Sequence, residues 1–152
     1  MVAVGTVMAA SLVTLLPIVA TVPILPPLGL LLLVAWRLRS PDILPIWAAA
    51  PLGLFDDLFS GQPLGSAMAL WTLAMIAIDM LDSRLVWRSF TQDWLVAAAA
   101  VAAFLIGARL AGTPIAAHVD TVLLLQIAIA AALYPLAALV CARIDPAGPE
   151  RA

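Results

Sequence analysis

Apolar runs at about residues 3 to 22, 22 to 38, 43 to 60, 64 to 82, 94 to 112 and 119 to 142 follow one another with only a few polar residues between them. About 20 apolar residues suffice for an α-helix to cross the hydrocarbon core of a bilayer. The pattern therefore predicts an all-α fold, a polytopic membrane helix bundle of about six transmembrane helices. It leaves no separate aqueous domain, so residues 1–152 read as a single integral membrane domain. Composition agrees: hydrophobic residues make up 65% of the chain and charged residues 11%, whereas soluble domains are about half apolar and a quarter charged. The second run is the shortest. Pro23, Pro26 and Pro27 crowd its start and leave about a dozen uninterrupted residues, some ~18 Å of helix, so this segment is short or partly re-entrant.

The first run lacks the basic leading region of a secretory signal and passes straight into further apolar sequence, so it reads as a retained helix. Orientation comes from the arginines, because basic residues in short loops are kept on the cytoplasmic side. Arg37 and Arg39 fall between helices two and three, Arg84 and Arg88 between four and five, and Arg143 and Arg151 in the tail. All six share one face, which predicts both termini in the cytoplasm of a multi-pass inner-membrane protein. Trp36, Trp47, Trp87 and Trp94 flank the same loops, as indoles do at the headgroup level. The chain has no lysine and a net charge of -2, so it has no basic patch for a phosphate backbone, which argues against nucleic-acid binding.

Gly61-Gln62-Pro63 and Gly112-Thr113-Pro114 are turn signals on the opposite, periplasmic side. Helix five carries Ala99, Ala103, Gly107 and Ala111 at four-residue spacing, which lets a neighbouring backbone approach closely in lipid. An alanine-rich helix with no specific partner would show the same spacing. Cys141 is the only cysteine; it can form no intramolecular disulfide and reads as a small buried apolar residue.

The most informative stretch runs from Pro51 through Gly53, Asp56, Asp57, Gly61 and Pro63 to Gly65. Two adjacent carboxylates inside an apolar run each cost about 2.5–3.5 kcal/mol near a helix centre, so they need a partner, a shallow depth or a proton. This order of Gly, Asp, Gly and Pro-Leu-Gly, with Tyr134-Pro135 before Arg143 as a looser match, resembles the rod shape-determining MreD family, small polytopic proteins of the bacterial cell-elongation machinery. In that pattern Asp57 holds the place of the family's aspartate, and Asp56 is an additional acid. The resemblance implies a non-enzymatic role in cell shape and lateral peptidoglycan synthesis, beside MreC, the actin-like MreB filament, RodA and a penicillin-binding transpeptidase. It also implies a membrane fold like that of the vitamin-binding S components of ECF transporters. Fold likeness alone transfers no ligand.

Read from the residues themselves, Asp56 and Asp57 lie about 6 Å inside the outer end of helix three. Arg109 lies at a matching depth in helix five, which makes it the expected ion-pair partner of Asp57 or, failing that, of Asp56. His118 and Asp120 extend this cluster. A structural ion pair or interface rim, a small-molecule pocket, and a metal or proton site are its three readings. One histidine and scattered aspartates offer no zinc-ligand spacing, and Ser60 has no local base, so neither a metal, a cofactor nor a catalytic residue is expected. Asp79, Asp82 and Arg84 read as snorkelling charges at the inner end of helix four. Two functions follow as expectations: a scaffold that binds partner membrane proteins, and a substrate-binding or transport component of the S-component type.

Overall fold

The computed structural model of the chain describes residues 2–13, 26–60, 63–83, 89–112 and 121–145, with the side chains of 110–112 left aside. It is helical throughout, with no strand among the described residues. The helices are α1 (Val2–Leu12), α2 (Leu28–Arg39), a 3₁₀ turn (Ile46–Ala48) continuing into α3 (Ala49–Ser60), α4 (Ser66–Asp82), α5 (Phe90–Gly112) and α6 (Thr121–Ile144).

Local chemistry sets several of these boundaries. Pro27 immediately precedes α2, and its carbonyl accepts a bond from Leu31 N at 3.0 Å. The apolar run that starts at 43 becomes helical at the 3₁₀ turn, three residues later, and α3 itself starts at Ala49. Pro45 is extended at the turn's N-cap and the chain enters α3 through that turn, because a proline fixes φ and donates no N–H. The fifth helix begins four residues earlier than expected. Ser89 and Gln92 form a reciprocal box, Ser89 N donating to Gln92 Oε1 at 3.0 Å and Gln92 N to Ser89 Oγ at 3.3 Å, which satisfies two otherwise orphaned donors.

Helix α2 is the hub. Nine of its residues, from Gly29 to Leu38, are buried, and it packs against α1 on one side and α5 and α6 on the other. A helix that is apolar all round is stable only when surrounded, and this one is surrounded by protein. Its short length follows, since a helix sheathed by its neighbours need not span hydrocarbon by itself. Trp36, expected at the headgroup level, is instead in the core. Its Nε1 donates to Thr6 Oγ1 at 3.0 Å, and Thr6 Oγ1 donates to Ala3 O at 2.8 Å. Trp94 Nε1 likewise reaches inward, to Ala131 O at 2.7 Å. Only Trp47, 72% exposed, points outward. Trp87 lies outside the described residues.

The helices alternate in direction. Thr6 meets Trp36 and Ser11 meets Gly29, so α1 and α2 are antiparallel. Arg37 meets Asp79, which brings the C-terminal ends of α2 and α4 together. Arg39 Nη2 donates to Asp145 O at 3.3 Å, adding the end of α6. The Phe90 ring lies 6.2 Å from that of Tyr134, so α5 and α6 are antiparallel. One end of the bundle therefore carries Arg37, Arg39, Asp79 and Asp145, and the other carries the α3–α4 turn.

Two helices among the described residues, α5 over Phe90–Arg109 and α6 over Thr121–Ile144, are long and apolar enough to cross a membrane by length and composition. The expectation of six full spans is met only in part. Helices α2 and α3 have 12 residues each and α4 has 17, or ~18 and ~26 Å at the helical rise, against ~30 Å of hydrocarbon. Prolines account for the shortening: Pro26 and Pro27 before α2, and Pro41 and Pro45 between α2 and α3.

Candidate functional site

Helix α3 turns Leu52, Gly53, Asp56 and Asp57 inward. Gly53 meets α4 so closely that an added Cβ would lie 2.7 Å from Met68 Cα and 2.8 Å from the Ala67 carbonyl atoms. These are backbone atoms and cannot swing aside. The absent side chain is what lets α3 and α4 touch, and this contact sets the distance at which Asp57 works.

Asp57 is 2% exposed. Its carboxylate accepts bonds from Gly65 N at 2.9 Å, Ser66 Oγ at 3.1 Å, Ala67 N at 2.9 Å and Met68 N at 3.2 Å. Three of these donors are the backbone amides at the start of α4, which no turn of the helix itself can satisfy. An aspartate normally caps its own helix; here the cap comes from the preceding helix, with its negative charge at the positive end of the α4 dipole. Gly65 makes the geometry reachable. It occupies the N-cap position of α4 with φ +93, a left-handed conformation that glycine adopts freely. Pro63 O accepts Ser66 N at 3.0 Å and closes the turn.

Asp57 is held by four donors of α4, all within reach of the same short turn. Asp56, one residue away, points about 100° round the helix. It is 6% exposed and lies beside Ser11 of α1. The adjacent acids thus serve different neighbours of α3, Asp57 the start of α4 and Asp56 the side of α1. Of the motif, the structure gathers Gly53, Asp57, Pro63 and Gly65 at one turn and sends Asp56 to another. Gly61 lies outside the described residues, as do His118 and Asp120.

A second polar node, at the other end, went unread in the sequence. The sequence reads Arg37 as a loop charge and Asp79 as a snorkelling one. Instead Arg37, its side chain 8% exposed, bonds through Nη2 to Asp79, whose side chain is 47% exposed. Its Nη1 donates to Pro41 O at 2.7 Å and Leu44 O at 3.5 Å. The arginine ties α4 to the chain as it leaves α2, satisfying carbonyls in a proline-broken stretch where no helix takes them up. Matched depth was the available signal: Arg37 and Asp79 each sit two or three residues inside the end of their helices.

Between α4 and α5 runs a groove of about 630 Å³, lined by residues including Leu70, Ala74, Ala77, Ala99, Ala103 and Phe104. Two members of the four-residue stripe, Ala99 and Ala103, therefore line an open groove. A third, Gly107, is pressed against α4, where an added Cβ would lie 2.8 Å from Leu70 Cδ2. Among the described residues no group of three His, Cys, Asp or Glu side chains is placed to hold a metal ion.

Compared with protein families, curated proteins and solved structures, the chain matches none.

Proposed function

We propose that this chain is a multi-pass protein of the bacterial cytoplasmic membrane, with both termini inside. It acts without catalysis, as a binding component of the cell-elongation complex in the manner of MreD. The observation that carries this reading is the clasp formed by Gly53, Asp57, Pro63 and Gly65. The residues on which the MreD resemblance rests work together as one rigid α3–α4 corner, and none of them forms a reactive constellation. Further support comes from the outward apolar faces of α5 and α6 and from the shared end of Arg37, Arg39 and Asp145, which gives the arginine-rich loops one side. The groove between α4 and α5 offers small residues to a partner helix. The partners are MreC and, through it, MreB, RodA and a penicillin-binding transpeptidase, with membrane lipid around them.

Depletion in a rod-shaped host is expected to produce spheres, and the tagged protein in mild detergent is expected to retain MreC. A depleted strain that keeps its shape would end this reading. The second reading, a substrate-binding component of the S-component type, is favoured by Asp56 and Ser11, two polar residues buried together near the Asp57 end. Copurification of an ATPase module and a small ligand in place of MreC would establish it.

A further inference from the structure

We propose that the bundle presents the bilayer with two hydrophobic thicknesses, full along α6 and short along α3, so that the lipid beside α3 is locally thinned. This rests on the membrane-spanning reading above. On α6 the outward apolar residues run from Val122 through Leu136 to Ile144. That is about 33 Å at 1.5 Å per residue, close to the ~30 Å of an ordinary hydrocarbon core. Thr121 and Arg143, both exposed, stand at the two ends of this band.

On α3 the outward apolar residues run from Trp47 through Leu54 and Leu58 to Phe59, only about 18 Å. Exposed Asp42 lies five residues before Trp47, with exposed Ile43 beside it in the loop, and a carboxylate in that position keeps to water or headgroups. Trp47 marks the same boundary, since indoles settle at the headgroup level. At the far end α3 stops at Ser60, and α4 begins at Ser66.

A hydrophobic stretch shorter than the bilayer is accommodated by thinning, by snorkelling or by oligomerisation, whereas tilting would only shorten it further. Snorkelling is closed to α3. It has no lysine or arginine between Ile46 and Ser60, and both its acids are buried on the inward side. Close helix association is disfavoured too, because its small residues Ala49 and Gly53 face inward while Leu54, Leu58 and Phe59 face out. Lipid is left as the occupant of this face.

The test uses the whole chain in a Cys141→Ala background, reconstituted in vesicles of 18-carbon phosphatidylcholine. Single spin labels are placed at Trp47→Cys, Phe59→Cys, Val122→Cys and Ile144→Cys, all exposed positions. Collision with oxygen, which favours hydrocarbon, and with a nickel chelate, which favours water, reports depth. Labels at 47 and 59 are both expected at the headgroup boundary, as are those at 122 and 144, despite the nearly twofold difference in separation along the helix. A deep hydrocarbon signal at 47 or 59 means uniform thickness and overturns the proposal. Labels at 47 and 59 shielded from both reagents mean a second copy covers the face, which also overturns it. An aqueous signal at 122 and 144 together with no signal from hydrocarbon at Leu136→Cys would instead remove the spanning reading itself.

Discussion

The Gly65 amide donates to Asp57 Oδ2 at 2.9 Å, across a turn that joins the end of one helix to the start of the next. A side chain eight residues upstream thus performs the task that the first residue of α4 would ordinarily perform for itself. Removing it strands two further backbone amides and a hydroxyl. Asp57→Ala is expected to destabilise the bundle by about 2–4 kcal/mol, several lost bonds each being worth about 1 kcal/mol or less in a membrane setting plus the cost of buried unsatisfied donors. Asp57→Asn, which keeps one carbonyl oxygen, should lose less than half of that. Unfolding in graded detergent denaturant measures both, and equal stability of Asp57→Ala and the natural protein would refute the cap.

Gly53 and Gly65 are required for different reasons, and substitution separates them. At Gly53 an added methyl meets backbone within 2.8 Å, so Gly53→Ala must push α3 and α4 apart. At Gly65 nothing lies within 4 Å, and only the positive φ resists a side chain. Gly65→Ala should cost about 1–2 kcal/mol and Gly65→Asn less, since asparagine tolerates the left-handed region. Gly53→Ala should be the more damaging, and a crosslink between cysteines placed on the facing surfaces of α3 and α4 should weaken in that variant alone. The reverse order of damage would show that the turn, not the helix contact, controls the corner.

Arg37 and Asp79 form an unequal pair. Asp79→Ala leaves a buried guanidinium with only the Pro41 and Leu44 carbonyls, whereas Arg37→Gln leaves a carboxylate whose side chain is already 47% exposed. Each change should cost about 1–3 kcal/mol, below the range for a fully buried pair. The exchange Arg37→Asp with Asp79→Arg should recover little, because an arginine placed on α4 does not return the bonds to Pro41 and Leu44. Full recovery in a double-mutant cycle would mean the carbonyl bonds are incidental.

The arrangement of helix ends predicts sidedness. A reporter fused after Asp145 and one inserted at Asp42 should report the same compartment, and one at Pro63 the opposite compartment. Alkaline phosphatase activity should appear at Pro63 only. Activity at Asp42 would break the assignment.

Much of the helix content could be read from the apolar runs, because burial and lipid exposure both demand apolar residues and leave the same pattern. That same ambiguity hid the inside from the outside. Trp36 has the composition of an interfacial residue and lies in the core, because hydropathy does not say whether an apolar helix meets lipid or protein. Helix starts shifted at Pro45 and at Ser89-Gln92, where backbone donors are handled within a few residues of the boundary. The importance of Gly53, Asp57 and Gly65 was visible in their grouping, but not the role of Asp57. Depth along the helix says nothing of the α4 amides, which the close approach permitted by Gly53 brings within reach of Asp57. The burial of Arg37 is hidden for a related reason: a basic residue near a loop satisfies a topology rule that is silent about burial.

Because α2 is enclosed by α1 on one side and by α5 and α6 on the other, the centre of this protein is assembled from both ends of its chain. A ribosome releases α2 long before Thr121–Ile144 exists, so Leu30, Leu33 and Val34 must wait beside temporary neighbours until the last helix arrives. Shortened products lacking α6 are then chains with an unfinished middle, open to quality-control proteases at α2 and not merely at their cut ends.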